Sequence, residues 1–196
     1  MTSPIDRSVA STYAAELLRV LGMDLLDPST RDTPARMVKA LEELTAGARC
    51  DPKALLQVEF NAGEYDEVVV VRDITFTALC EHHVLPFRGR ASVAYLPSAA
   101  PAGGYRVIGL SKIPRLVRAY ASRFQLQERL TAQIATALRD SPLAPRGVAV
   151  RVTAEHECMS CRGVRAEGAS MVTQFLTGAF MDDRDARAEV LQLLHV

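Results

Sequence analysis

Near the N-terminus, Val9, Tyr13, Leu17, Leu18 and Leu21 recur at helical spacing, so residues 8–21 are expected to form an amphipathic helix ending at Gly22. A second helix is marked by "RDTPARMVKALEELTAG", with Asp32 or Thr33 as N-cap, Pro34 in the first helical position and Gly47 as the stop. From Glu67 the period changes. "EVVVVRDITFTALC" is rich in β-branched residues, and "GRASVAYLP" follows as its partner strand. "SAAPAGGYR" interrupts the pattern and is expected to be a loop. Beyond it, Ser111 can cap a helix in which Ile113, Leu116, Val117 and Tyr120 share a face, and Leu126, Leu130, Ile134 and Leu138 mark another helix. "GVAVRVTAEHECM" and "MVTQFLTGAF" read as two further strands, and "DRDARAEVLQLLHV" as a closing helix.

Strands in adjacent pairs imply an antiparallel sheet with helices packed on one face, an α+β arrangement. A helical segment is expected over residues 1–50 and the main unit over 51–196, with no repeat of solenoid period. The chain has 196 residues, 48% of them hydrophobic, enough for one core and a smaller helical annex. Its formal charges cancel to zero, so no long-range field draws nucleic acid or an anionic membrane, and any anionic ligand must be held by a local cluster. No apolar run approaches the roughly 20 residues that cross a bilayer, and "MTSPIDRSVA" lacks a basic segment followed by an apolar one; a cytoplasmic protein is the expectation.

Chemistry enters through the cysteines and histidines. There are four of each, and six of the eight fall in "CEHH" and "HECMSC". In Cys80-Glu81-His82-His83, a tight turn can aim the thiol and the second imidazole at one point. On the strand ending His156-Glu157-Cys158, residues two apart share a face, so His156 and Cys158 can look into one site. Cys80, His83 and Cys158 would then form a three-ligand set with a fourth tetrahedral position open to water, as in catalytic zinc sites. The rival is a closed structural site that adds Cys161, because Cys158 and Cys161 form a C-x-x-C pair. Spacing alone does not separate the two. Cys50 reads as a small buried hydrophobe and His195 as a solvated terminal residue.

Other positions carry weaker signals. "GLSKIPR" puts Ser111 and Lys112 at a helix start with Arg115 one turn on, where free N–H groups and cations suit phosphate, although ordinary capping explains it as well. "QLQERL" puts Gln127 and Glu128 in a first helical turn, where a carboxylate is favoured by the dipole. Arg36 and Arg162 say nothing singly.

Taken in order, "DTPAR", "CEHHVLPF", "VIGLSKIPRLV", "QLQERLTAQIATAL" and "HECMSCRGV" resemble the motifs of the GTP cyclohydrolase I family, across residues 32–164. The resemblance implies the tunnelling fold, in which sheets of several subunits close into a barrel with helices outside, and a homodecamer with active sites at subunit interfaces. It implies zinc held by Cys80, His83 and Cys158, with Cys161 not a ligand. The implied reaction opens the imidazole ring of GTP, releases C8 as formate and yields 7,8-dihydroneopterin triphosphate, at the head of tetrahydrofolate and pterin synthesis. On that likeness His82 and His156 move protons and Glu128 reads guanine. Gln127 helps hold the base and Ser111 assists the rearrangement, while Lys112, Arg115, Arg36 and Arg162 embrace the triphosphate. Glu157 and Cys161 stand where the family usually carries apolar or small residues. That departure leaves room for a paralogue serving a specialised pterin or deazapurine pathway, or for a zinc-stabilised ring-forming protein without turnover.

Overall fold

The computed structural model describes residues 5–57 and 59–195; the ends of the expected N-terminal segment and closing helix, residues 1–4 and 196, lie outside that description. The first helix, α1 (Arg7–Val20), is capped by Asp6, whose side chain accepts from the backbone N–H groups of Ser8 and Val9. Its expected apolar face is largely uncovered: only Ala14 of the helix is buried, while Val9, Tyr13, Leu17 and Leu21 remain exposed. Helix α2 (Thr33–Leu44) carries Pro34 in its first turn. Two short 3-10 turns, Ala46–Arg49 and Pro52–Leu56, lead into the sheet, so Gly47 is not the stop but a contact point. A Cβ added there would stand 2.0 Å from the Ala119 carbonyl oxygen.

The main sheet contains β2 (Val69–Cys80), β3 (Pro86–Leu96), β6 (Phe124–Gln125), β7 (Gly147–His156) and β8 (Ser170–Gly178), in the order β6-β2-β3-β7-β8. All neighbours are antiparallel except β2 and β6, which run parallel. A bulge between Val71 and Ile74 puts Asp73 at a φ of 58°. The "SAAPAGGYR" stretch departs from expectation. It forms β4 (Ser98–Ala99) and the start of β5 (Tyr105–Ile108), which join β1 (Glu59–Asn61) in a separate three-stranded sheet.

Helices α3 (Lys112–Ala121) and α4 (Gln127–Arg139) lie on one face of the main sheet, as the pattern predicts. Ile113, Leu116, Leu130, Ile134 and Leu138 pack with Phe76, Phe87, Val93, Tyr95, Val150 and Val152 in the main core. Each such side chain, fully buried, contributes about 1.5–3 kcal/mol. The closing segment corrects the one-face picture. After a short turn, α6 (Ala179–Asp182), helix α7 (Arg184–Leu194) sets Val190 and Leu194 with Phe180 against Ala94 and Ala149, which belong to the reverse face by strand alternation.

The topology gathers chemistry at one end of the sheet. Strand β2 ends at Cys80, β7 ends at His156, β3 begins beside them and α4 starts two residues after β6. The opposite end is marked by Tyr95, which pairs with Val69 and Val148 and accepts a hydrogen bond from the Ile108 N–H at 3.1 Å. Ser111 follows three residues later. Phe87 and Tyr95 are eight residues apart on β3, so the two ends are separated by roughly 26 Å at about 3.3 Å per residue.

Candidate metal centre and active site

The turn after β2 is closed by two backbone hydrogen bonds, Cys80 N–H to Leu85 O and Val84 N–H to Cys80 O, both 2.8 Å. Val84 adopts a φ of 57°, costly for a β-branched residue, and the tight return it permits folds His83 back over Cys80. The Cys80 Sγ to His83 Nδ1 distance is 3.8 Å. The Cys158 thiol completes the group, with the three ligand atoms all within 4.8 Å of one another. A tetrahedral metal with bonds of about 2.0–2.3 Å requires ligand atoms roughly 3.5–3.8 Å apart, so the donors fit zinc by chemistry and the Cys80–His83 pair fits it by spacing. Burial, reinforced by the neighbouring Cys80, raises the Cys158 thiol above its ordinary pKa. A bound cation would favour the Cys158 thiolate that this crowding disfavours.

Cys158 does not reach the group along a strand. β7 stops at His156 and the chain turns helical over α5 (Glu157–Ser160), so the expected strand face shared by His156 and Cys158 is replaced by a helical turn. That turn sends Cys161 away. Its thiol donates to the Glu157 carbonyl at 2.8 Å, is exposed and lies outside the three-ligand group. Glu157 accepts from Ser160 Oγ at 3.3 Å and stays within its own turn. Glu81, for which a bond to a metal ligand would be an easy guess, instead pairs with Arg129 of α4. That hydrogen bond holds its carboxyl below the ordinary range. Arg129 also donates to Gln125 Oε1 and to the Phe124 carbonyl, fastening the "CEHH" turn to the start of α4.

Beside the metal group lie both remaining imidazoles. His82 is exposed, with its ring 6.2 Å from that of His83. His156 is half-buried and stacked on Phe87, its partner across β3 and β7, at 4.5 Å with the planes 4° apart. Burial lowers its pKa, and Glu128 opposes that shift from the exposed first turn of α4. The preceding residue, Gln127, is only 1% exposed and accepts from His156 Nε2 at 2.8 Å. Arg162 follows α5 and lies near enough to Cys158 to favour its thiolate.

The remaining predicted residues are elsewhere. Ser111, Lys112 and Arg115 open α3 at the far end of the sheet, and the Ser111 side chain caps nothing. Arg36 is exposed on α2 and pairs with Asp32 at 3.5 Å. Phe87, Thr131 and Thr173 have no role assigned from the sequence, although the first two lie inside "CEHHVLPF" and "QLQERLTAQIATAL", yet they surround His156 and Gln127.

A family model described as GTP cyclohydrolase I matches residues 10–195, nearly the whole chain. The chain belongs to the GTP cyclohydrolase I family. A GTP cyclohydrolase 1 of Halalkalibacterium halodurans is 43% identical over 192 residues, 98% of each chain. One from Mycobacterium ulcerans is 46% identical over 193 residues, covering 98% of this chain and 93% of that one. Among solved structures, the archaeosine synthase QueF-Like in the apo form superposes with a TM-score of 0.44 at 18% identity, over 57% of this chain and 93% of that one. Family membership makes the mixed α+β architecture, with N-terminal helices ahead of an antiparallel sheet, the tunnelling fold.

Proposed function

We propose that this chain hydrolyses GTP to 7,8-dihydroneopterin triphosphate and formate at a zinc centre held by Cys80, His83 and Cys158. The carrying observation is that this open three-ligand group shares one end of the sheet with two free imidazoles and the Glu128 carboxylate. A structural site has no use for those neighbours. When bound, zinc supplies Lewis-acid activation of water for attack on C8. His82 and His156 exchange protons with the ring nitrogens and the ribose oxygen as the imidazole ring opens. Glu128 accepts from guanine N1–H and the 2-amino group, and leaving it unmatched beside adenine costs several kcal/mol, of the order that strong selectivity requires. Cationic contacts of about 1.5–3 kcal/mol each from Lys112, Arg115, Arg36 and Arg162 hold the triphosphate without net positive charge on the chain.

The separation of the metal group from Ser111, Lys112 and Arg115 supports a site shared between copies: one subunit brings the metal end and a neighbour brings the α3 start. The exposed apolar residues of α1 are the kind of surface that such neighbours cover. A homodecamer is the assembly proposed, in the cytoplasm. No helix among the described residues is long and apolar enough to cross a membrane. Zinc-loaded protein given GTP is expected to release formate and a product that fluoresces after oxidation, whereas ATP yields neither. Absence of formate from GTP would overturn the proposal.

A further inference from the structure

Gln127 is buried between α4 and the last two strands of the sheet, and every polar atom of its side chain is engaged inside the chain. The two N–H groups of its Nε2 are shared among three acceptors, the Met171 carbonyl at 2.9 Å, the Val152 carbonyl at 3.2 Å and Thr173 Oγ1 at 3.2 Å. The Thr173 hydroxyl is in turn 2.6 Å from Thr131 Oγ1, and Thr131 donates to the Gln127 carbonyl at 2.7 Å. Backbone carbonyls can only accept. The amide is therefore fixed in one orientation, because turning it over would press its oxygen against two carbonyl oxygens. Oε1 must then face His156, and since that oxygen can only accept, His156 Nε2 must carry the proton.

From this one-way chain we infer that Gln127 is a positioning residue that locks His156 in the Nε2–H tautomer, so that Nδ1 is the atom through which His156 exchanges protons with the substrate. Neutral His156 takes a proton on the Nδ1 lone pair. The resulting imidazolium returns it from the same nitrogen while Nε2–H stays on Gln127, so charge and protons balance over a cycle. Stacking on Phe87 fixes the ring plane and the amide fixes its rotation, which together aim Nδ1 in one direction. This rests on the proposed role of His156 in proton transfer and replaces a direct contact of the Gln127 side chain with the nucleotide, for which no polar atom is left over.

The test is the 15N spectrum of histidine-labelled protein at a pH where His156 is neutral, with its signals identified by their loss in His156→Asn. A pyrrole-type signal at Nε2 and a pyridine-type signal at Nδ1 are expected; the opposite tautomer, or a mixture, overturns the inference. Gln127→Met removes the acceptor and is expected to mix the tautomers and lower kcat by about 10²-fold, within the range of a general acid–base, with KM nearly unchanged. Gln127→Glu, protonated in its buried place, keeps one acceptor and one donor and is expected to restore the tautomer and most of kcat. A Met variant with the wild-type tautomer would reduce Gln127 to packing. The spectrum needs neither substrate nor turnover, and it decides the matter even if the Gln127 variants fail to fold. Full formate release by His156→Ala would instead refute the role of His156 itself.

Discussion

His83→Ala and Cys158→Ser are expected to lose bound zinc, whereas His82→Ala keeps the metal and loses rate by roughly 10²–10⁴-fold, the range of a general acid–base; metal content and formate release measured on the same samples separate the two outcomes. Cys161→Ser is expected to bind zinc as wild type does, because its thiol is turned onto the Glu157 carbonyl. Zinc loss in that variant would revive the closed four-ligand site. Residue type and clustering made the metal group legible in the sequence, since thiols and imidazoles are rarely concentrated without cause. The local path was not legible. Strand alternation put Cys158 on the face of His156, and the helical turn at Glu157–Ser160 changed how it arrives while leaving it in reach of Cys80. Thr173 and Thr131 could not be singled out, because a threonine reads the same whether it braces a buried glutamine or faces solvent. The role of Glu81 was hidden for a related reason: its partner Arg129 lies 48 residues away.

At the level of elements, the approach of β3 to β7 depends on Gly89, where a Cβ would stand 2.0 Å from the Thr153 carbonyl oxygen and 2.6 Å from Ala154 Cβ. Gly89→Ala is expected to lower stability by about 1–3 kcal/mol, the usual penalty for overpacking, read as a lower urea midpoint. The docking of α1 on α2 carries a pH dependence. Arg7 donates to Glu42 at 2.7 Å and holds that carboxyl below its ordinary 4.5. A carboxyl with a lowered folded-state pKa contributes above its unfolded value and ceases to contribute as pH falls through the folded one. Amide exchange in α1 is therefore expected to quicken below about pH 4.5, and Arg7→Ala should erase that dependence. The longer helices and strands were readable because their periodicity runs over many residues. The second sheet was not, since β1 spans three residues and β4 two, too few for a period of two to register, and the pairing of β1 with β5 joins segments more than forty residues apart.

The whole molecule carries its proposed site in two parts, and composition could not foresee that division. Helical and strand patterns name elements but not the end of a sheet at which each begins, and it is the contact of Ile108 with Tyr95, at the other end of β3 from Phe87, that separates Ser111 from Cys80. If neighbouring copies share each site, Cys158→Ser, inactive alone, and Arg115→Ala, strongly impaired alone, are expected to complement when unfolded together and reassembled, recovering about a quarter of the wild-type rate for random mixing. No recovery would mean that each chain supplies its own complete site. The central claim, that the metal group drives ring opening of GTP, is tested most directly by titrating metal-free protein with zinc and following formate. Formate release is expected to rise with zinc and level off at about one ion per chain, in wild type and Cys161→Ser alike, with none in Cys158→Ser. Formate production by metal-free protein, or zinc uptake at the three-ligand group without any formate, would contradict the account.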